Sequence, residues 1–284
     1  MRTKDNLFSK NYSFNIRGKI LDLSTPQIMG VLNVTPDSFF DGGKNNSLEN
    51  AKREGEKMIN EGVSILDIGG YSSKPGAKEV GVEEEINRTV PIIEALRLEF
   101  PDVFLSVDTF RSGVGKANVE VGADIINDIS AGNLDEEMIP WIKAEKIPYI
   151  AMHMRGNPSN MQEKTNYINV TNQVLSELIF SVRELNVDHP LILDPGFGFS
   201  KTIKQNYELM HNLDLFNQLD QPFLIGVSRK SMIYKLLNSN PKEALNGTSV
   251  LNTIGLMKGA SILRVHDVKE AVEVVKLVKA TLQS

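Results

Sequence analysis

The feature that most constrains the fold is a unit that recurs along nearly the whole chain. Each unit has a short apolar run of strand length followed by an amphipathic stretch of helical length. Consecutive runs start between 20 residues apart (Phe104 to Asp124) and 42 residues apart (Tyr149 to Leu191). That spacing leaves room for a crossover helix and two loops and is too long for a hairpin. The runs begin near Gln27, Ser64, Phe104, Asp124, Tyr149, Leu191, Phe223 and Ile262.

Eight such units predict an α/β fold of the (β/α)8 TIM barrel type, because an open doubly wound sheet usually has fewer strands. Helices are expected from Ser47, with Met58 and Ile59 near the end, and over residues 83–100, 111–121, 170–185 and 268–282. Residues 12–24 precede the first unit and alternate apolar and polar side chains around Arg17-Gly18, which predicts a small β-hairpin capping the barrel bottom. We expect one domain over residues 1–284, with the hairpin at 12–24 and the barrel at 26–284.

Charge and composition exclude several functional classes. The 284 residues include 31 Lys and Arg, 36 Asp and Glu and no Cys, so the net charge is −5. A general nucleic-acid partner is not expected at this charge, although a few local cations would suffice for an anionic ligand. The lack of cysteine excludes disulfides, thiolate metal sites and a cysteine nucleophile.

Histidine spacing and hydropathy bear on metal binding and on membrane association. No two of the four histidines lie three to five residues apart, so a helical His pair for a metal is not expected, and His189 and His211 are predicted at the surface. No uncharged apolar run approaches the length of a membrane span, and the polar segment from Met1 to Asn11 lacks the apolar core of a signal peptide. The expected location is cytoplasmic, without a membrane partner.

Every apolar run is followed by side chains that can form hydrogen bonds or carry charge. Because active sites of such barrels lie at the C-terminal ends of the strands, we expect these side chains to converge. They are Asn33, residues 70–74, Asp108, Asn127 with Asp128, His153, Asp194, residues 228–230, and Arg264 with His266.

The charges and hydrogen-bonding groups of these side chains predict a ligand whose two ends differ chemically. Asp108, Asn127 and Asp194 offer acceptors for a heterocycle edge with two parallel N–H donors. The loops after the last two strands form the usual phosphate position of this fold, and they carry Ser228, Arg229, Lys230, Arg264 and His266. The residues alone thus indicate an amide-like ring at one end of the ligand and an anion at the other.

Eight segments, in order along the chain, carry a family resemblance: IMGVLNVTPDSFFDGG (28–43), DIGGYSSKPGA (67–77), SVDTFR (106–111), INDISAG (126–132), MHMRGNP (152–158), LDPGFGF (193–199), GVSRKS (226–231) and LRVHDV (263–268). With these segments the sequence closely resembles the dihydropteroate synthase family. The resemblance implies a transferase of folate biosynthesis that joins (7,8-dihydropterin-6-yl)methyl diphosphate to 4-aminobenzoate with Mg²⁺ as cofactor. It also implies a homodimer and a target of sulfonamides.

The resemblance also implies a role for individual residues. The pterin is expected to be bound by Asp108, Asn127, Met152, Asp194 and Lys230. The aminobenzoate pocket is expected from Ser73, Pro75, Phe199 and Ser228. The diphosphate is expected to contact Asn33, Ser73, Lys74, Arg264 and His266, with Asn33 also expected to meet the metal. The catalytic set is expected to be Asp41, Asp108, Asp194, Lys230, Arg264 and His266, where Asp41 stabilises a cation.

The second loop departs from the family pattern, which typically reads Gly-Glu-Ser-Thr-Arg-Pro-Gly. Here Tyr71 replaces the Glu, Ser73 the Thr and Lys74 the Arg. Ser73 keeps the hydroxyl, and Lys74 keeps the charge but lacks the planar fork needed for a bidentate diphosphate contact. Neutral drift and an altered affinity for sulfonamide or diphosphate both remain open as explanations.

Three rival functions share part of this pattern. A methyltetrahydrofolate–corrinoid methyltransferase would use the same pterin-binding acids but has no need of Asn33, Arg264 and His266 for a diphosphate. A pterin-binding barrel without activity could keep the fold while its second loop diverged. A Schiff-base aldolase would need Lys230 in an apolar pocket with a depressed pKa.

Overall fold

The structure is a computed structural model that describes residues 12–34, 44–71, 80–185 and 189–283. Its strands, in chain order, are β1 (Ser13–Ile16), β2 (Lys19–Asp22), β3 (Gln27–Asn33), β4 (Ile65–Gly69), β5 (Phe104–Asp108), β6 (Ile125–Asp128), β7 (Tyr149–Met152), β8 (Leu191–Asp194), β9 (Leu224–Ile225) and β10 (Ile262–Val265). Each of the eight expected strand starts lies within one residue of an observed strand.

Strands β3 to β10 form one parallel sheet that closes on itself. The hydrogen-bonded order runs β8-β7-β6-β5-β4-β3-β10-β9. A parallel bridge between Leu193 and Phe223 then joins β8 to the residue before β9. The barrel expected from the eight repeated units is therefore confirmed.

Helices follow the strands as the repeat predicts. They are α1 (Lys44–Glu61), α2 (Val82–Glu99), α3 (Ser112–Glu120), α4 (Met138–Glu145), α5 (Val170–Val182), α6 (Ile203–His211), α7 (Ser231–Tyr234), α8 (Leu245–Met257) and α9 (Val268–Gln283), with short 3-10 helices at Met161–Glu163, Leu213–Leu219 and Pro241–Glu243. The start of α6 is fixed by a capping box, in which Thr202 and Gln205 satisfy each other's backbone N–H groups.

The N-terminal hairpin caps the bottom of the barrel. Its two turn residues, Arg17 (φ 50°) and Gly18 (φ 81°), are both left-handed, as a two-residue hairpin of twisted strands requires. The buried side chains of Ile16, Leu21 and Leu23 pack on a layer formed at the start of the strands by Met29, Ile65, Phe104, Ile125, Ile150, Ile192, Leu224 and Ile262.

The register of this apolar layer shows which side chains face the barrel interior in the next layer above it. Side chains alternate along a strand, so the residue two positions after each layer member faces the same interior. Ile65 is followed in this register by Asp67, and Ile262 by Arg264. The same step leads from Ile125 to Asn127 and from Ile192 to Asp194. A polar layer therefore lies directly on the apolar one, toward the C-terminal ends of the strands.

Two further expectations concern the position of His189 and membrane-spanning segments. The surface position predicted for His189 is wrong, because its side chain is buried and that burial lowers its pKa. No helix in the described part of the chain is both long and apolar enough to cross a bilayer. The single-domain organisation over residues 1–284 stays a prediction.

Candidate active site

The floor of the barrel mouth is built around one arginine shared by two carboxylates. Arg264 on β10 donates from Nε to Asp67 Oδ2 over 2.7 Å and from Nη2 to Asp108 Oδ2 over 2.6 Å. Asn127 on β6 donates from Nδ2 to the same Asp67 oxygen over 3.0 Å. Side chains from β4, β5, β6 and β10 thus form one connected network across the barrel.

Asp67 is the member of this network that sequence reasoning missed. It lies inside strand β4 and is fully buried, whereas the expected site groups all follow an apolar run or end it. Its signal was an acidic residue inside an otherwise apolar run, two positions after Ile65. An acid at such a place needs a buried partner, which here is Arg264.

The network changes the proton affinity of its members. Burial raises the pKa of Asp108 to about 7; the charge of Arg264 opposes this rise, and the nearby carboxylate of Asp67 adds to it. Burial alone would lower the pKa of Arg264, but Asp67 and Asp108 raise it above its ordinary value. The guanidinium therefore stays charged, while Asp108 is balanced between its two protonation states near neutral pH.

A second corner of the mouth brings Asp194 and Lys230 together. Asp194 is buried, its Oδ1 accepts a hydrogen bond from the Gly196 N–H over 2.7 Å, and burial raises its pKa against the charge of Lys230. The Lys230 ammonium donates to the Phe197 carbonyl and lies 4.8 Å from the centre of the Phe199 ring. Burial lowers the pKa of Lys230 to about 8, partly offset by Asp194.

The third region holds Ser228 and His266. Ser228 Oγ lies 3.0 Å from His266 Nδ1, and the His266 side chain is exposed at the mouth. The surrounding protein and the charge of Arg264 lower the pKa of His266 to about 4, so its ring is neutral at pH 7. Helix α9 begins two residues later, at Val268, and its first N–H groups add to this region a partial positive charge.

Two other residues expected near the ligand, Arg229 and Met152, have different surroundings. Arg229 forms an ion pair of 2.6 Å with Asp267, so its charge is already compensated. Met152 is buried in a small apolar cluster with Ile129, Met154 and Met161, against which Phe199 packs. By the two-residue step from Ile150, Met152 faces the barrel interior beside its register partner Asp194 and forms an apolar wall next to that carboxylate.

Asn33 stands at the end of β3 beside Gly69 and Asp108. A Cβ at position 69 would lie 3.6 Å from Asn33 Oδ1 and 3.5 Å from the Cβ of Asp108, so glycine keeps the space between them open. Within the described ranges, no three His, Cys, Asp or Glu side chains group as a metal site. Asn33 offers a single oxygen, which suits Mg²⁺ when substrate phosphates and water supply its other ligands.

The start of the second loop is held from two sides. Arg88 donates to the Gly70 carbonyl over 2.9 Å, and the Tyr71 ring meets Phe110 edge-on at 5.4 Å. The Arg111 guanidinium lies over the Tyr71 ring and pairs with the buried Glu85 over 2.6 Å. The predicted site residues Asp41, Ser73, Lys74 and Pro75 lie outside the described residues.

Comparison with known proteins agrees with this geometry. The pattern of the family described as "Pterin binding enzyme" matches residues 29–266. The dihydropteroate synthase of Escherichia coli (strain K12) is 46% identical over 273 residues, covering 94% of this chain and 96% of that protein. The chain belongs to the dihydropteroate synthase family. As a member it is a transferase, and it condenses (7,8-dihydropterin-6-yl)methyl diphosphate with 4-aminobenzoate to give 7,8-dihydropteroate and diphosphate.

Solved structures of dihydropteroate synthases share the fold over nearly the whole length. The Yersinia pestis enzyme, solved with a sulfonamide drug, superposes with a TM-score of 0.87 at 40% identity, covering 96% of this chain and 99% of that one. The Xanthomonas albilineans enzyme in complex with 7,8-dihydropteroate gives a TM-score of 0.85 at 34% identity, covering 96% and 100%.

Proposed function

We propose that the polar floor binds the pterin ring of the substrate. The observation that carries this proposal is the pairing of buried acceptors with one lysine: Asp194 for the 2-amino and ring N–H donors, and Lys230 for the ring carbonyl and a ring nitrogen. Asp108 and Asn127 extend the same floor, and Met152 contributes apolar contact from the wall. A carboxylate facing two parallel N–H groups gives both strength and orientation.

The diphosphate belongs, in this proposal, at the end of β10. His266 is exposed there, Arg264 supplies a permanent positive charge, and the start of α9 supplies backbone N–H groups. Asn33 ends the neighbouring strand β3, on the side of Asp108. Ser73 and Lys74 of the second loop complete the predicted set.

The aminobenzoate is expected at Phe199 and Ser228, and Ser73 and Pro75 are the other two residues predicted for this pocket. Phe199 packs its ring against the substrate ring, and Ser228 Oγ donates to the carboxylate. Lys230 lies over the face of Phe199, so this pocket adjoins the pterin corner directly. That adjacency brings the aniline nitrogen close to the methylene that it must attack.

We propose that diphosphate departs before the amine attacks. The cation left on the methylene is delocalised into the electron-rich dihydropterin, and the carboxylates of Asp108 and Asp194 favour positive charge on that ring. Arg264 and His266 stabilise the negative charge on the leaving diphosphate. Asp41 of the first loop is the predicted further stabiliser of the cation. A neutral aniline that traps a cation needs only a weak base to take its proton.

Magnesium is the cofactor that we propose for this site. Bound to the diphosphate oxygens, it would neutralise charge on the leaving group. Asn33 would hold it through one amide oxygen, and its place beside Gly69 leaves the room that such a ligand requires. Asp108, with a pKa near neutrality, lies next to that position and adds negative charge in its ionised form.

A homodimer is also proposed. The side chains of Val250, Ile254 and Met257 follow one another at helical spacing on α8 and are 50%, 36% and 41% exposed. A repeated apolar stripe of this kind suits a self-complementary contact. Light scattering on the purified protein would show a mass near 63 kDa, twice the 31.6 kDa of the chain, if the proposal holds. The cytoplasmic location stays a prediction.

The decisive experiment measures product and diphosphate together. The purified protein is mixed with Mg²⁺, the pterin diphosphate and 4-aminobenzoate, and diphosphate release and 7,8-dihydropteroate are followed in parallel. Release in equal amounts supports the proposal, and a tenfold or greater loss of pterin affinity is expected for Asp194→Asn. If neither product forms, the chain is the inactive pterin-binding barrel that the sequence left open.

A further inference from the structure

Lys201 is a buried lysine that the proposed mechanism does not use. Only 4% of its surface is exposed. Its Nζ donates to the Gly196 carbonyl over 2.9 Å, to the Phe199 carbonyl over 3.1 Å and to His153 Nδ1 over 3.0 Å. An ammonium has three N–H groups, and here each has one acceptor.

Two of these acceptors lie on the loop of residues 195–200, which adopts an uncommon backbone conformation. Gly196, Gly198 and Ser200 have φ values of 69°, 83° and 45°. A left-handed Ser is unfavourable unless its surroundings hold it in place. At Gly196 a Cβ would lie 2.0 Å from the His153 carbonyl oxygen, so loop and neighbouring strand end are in close contact.

The third acceptor of Lys201 is itself anchored. His153 Nε2 lies 2.9 Å from Glu177 Oε2, and the Arg155 guanidinium forms an ion pair with the same carboxylate. Because His153 Nδ1 accepts from Lys201, its proton is on Nε2 and is donated to Glu177. Burial and the charge of Lys201 lower the pKa of His153 to about 4, which keeps the ring neutral and able to accept.

The 195–200 loop carries two groups that matter for the substrates. The Phe199 ring packs beside Lys230, and the Phe197 carbonyl accepts a hydrogen bond from the Lys230 ammonium. A shift of this loop would therefore move both a wall of the aminobenzoate pocket and the lysine of the pterin corner.

We propose that Lys201 is a positioning residue for both substrates, because its ammonium joins the two ends of the 195–200 loop and thereby fixes Phe199 and the carbonyl acceptor of Lys230. The proposal rests on the assignment of Phe199 and Lys230 to substrate binding made above. A neutral amine has only two N–H groups for three acceptors, so the charged form is the one that holds the loop. Burial lowers the pKa of Lys201 to about 7, with Asp194 opposing this and Lys230 adding to it.

The first test compares two lysines of the same region. Lys201→Met keeps an unbranched side chain that is one atom shorter and removes the donors, whereas Lys204→Met changes an exposed residue on α6. We expect Lys201→Met to raise the KM for 4-aminobenzoate about tenfold or more, since small misplacements of substrate-contacting groups have effects of this size. Lys204→Met should change it less than about twofold.

A second readout is independent of turnover. 4-Fluorophenylalanine placed at position 199 reports the loop by ¹⁹F NMR, and the same probe at the fully buried Phe216 reports the core. Lys201→Met should shift or broaden the signal at position 199 and leave the signal at position 216 unchanged. A variant that merely loosens the whole fold would alter both signals and would contradict a positioning role.

His153 provides a further pair in case Lys201→Met fails to fold. His153→Asn places an amide oxygen where Nδ1 lies, so it keeps an acceptor for the Lys201 ammonium and is expected to retain most of the affinity for 4-aminobenzoate. His153→Leu removes that acceptor and should raise the KM. Equal KM values for these two variants, or an unmoved ¹⁹F signal at position 199 in Lys201→Met, would overturn the proposal. Absence of turnover in the unmodified protein would instead refute the proposed function, while the ¹⁹F comparison would still test Lys201.

Discussion

Arg264 Nη2 lies 2.6 Å from a carboxylate oxygen of Asp67 and 2.6 Å from one of Asp108. One cation thus compensates two buried acids that come from different strands. From the sequence, Arg264 is expected at the diphosphate and in the catalytic set. In the structure it is also the counter-ion of the pterin floor, so the two ends of the ligand site share one residue.

The first prediction concerns Asp67, which holds this floor without facing the surface. Asp67→Asn removes the negative charge that Arg264 and Asn127 share and leaves the guanidinium with Asp108 as its carboxylate partner there. We expect a loss of about 2 kcal/mol in the free energy of unfolding, because a buried charge is left partly uncompensated. Urea denaturation monitored by circular dichroism measures it.

A matched control for this variant is Asp214→Asn. Asp214 pairs with Lys258 over 3.0 Å, but its side chain is 62% exposed. A surface pair contributes little, so the change should stay below about 0.5 kcal/mol. Equal losses for Asp67→Asn and Asp214→Asn would show that the buried network does not stabilise the barrel.

The second prediction separates the two roles of Arg264. Arg264→Ala should weaken binding of 6-hydroxymethyl-7,8-dihydropterin about tenfold or more although this ligand has no diphosphate, because Asp67 and Asp108 lose their counter-ion. Isothermal titration calorimetry measures the affinity. Arg229→Ala is the control, since Arg229 already pairs with Asp267 and should leave this affinity unchanged. If Arg264→Ala weakened only the diphosphate ligand, the floor role would be refuted.

The sequence predicted the barrel because its evidence is repeated and local. Eight apolar runs, each followed by a helical stretch, leave few alternatives, and Arg17-Gly18 marks the hairpin turn directly. The pairing of Arg264 with Asp67 could not be derived in this way. It joins residues from opposite ends of the chain and depends on which strand neighbours which across the barrel interior.

The burial of Lys201 also depends on contacts between distant parts of the chain, so the sequence does not predict it. Lys201 follows the LDPGFGF segment in the sequence, where a lysine before a helix is expected to be solvated. Its burial results from the left-handed turns at Gly196 and Gly198, which fold the loop back over it. The network with His153 and Glu177 joins the ends of two strands to helix α5, and no local pattern encodes such a contact.

The third prediction concerns how the free energy of unfolding depends on pH through Glu85. Its ion-pair partner Arg111 anchors the start of the second loop. Burial raises the pKa of Glu85, with Thr109 and Arg111 opposing this rise. The folded state therefore holds the proton more tightly than the unfolded state, and stability falls as pH rises above the ordinary pKa of a glutamate. Without Arg111 this effect becomes larger.

Arg111→Ala should accordingly cost about 3 kcal/mol of unfolding free energy at pH 7.5 and clearly less at pH 5, where Glu85 can be neutral. Urea denaturation at both pH values provides the measurement. Lys57→Ala is a control, since its pairing with Glu54 lies at the surface and should give a small loss at either pH. A loss for Arg111→Ala that did not depend on pH would contradict the role given to Glu85.

The last prediction concerns the proton on His266. In the free protein its pKa is lowered to about 4, so the ring is neutral at pH 7 and can donate from only one nitrogen. A bound diphosphate places negative charge beside it, and an opposite charge at close range raises a histidine pKa by roughly 1–3 units. We expect titration of the His266 ring by NMR to show an increase of at least about one unit when inorganic diphosphate is added. An unchanged His266 titration at saturating diphosphate would place the anion elsewhere.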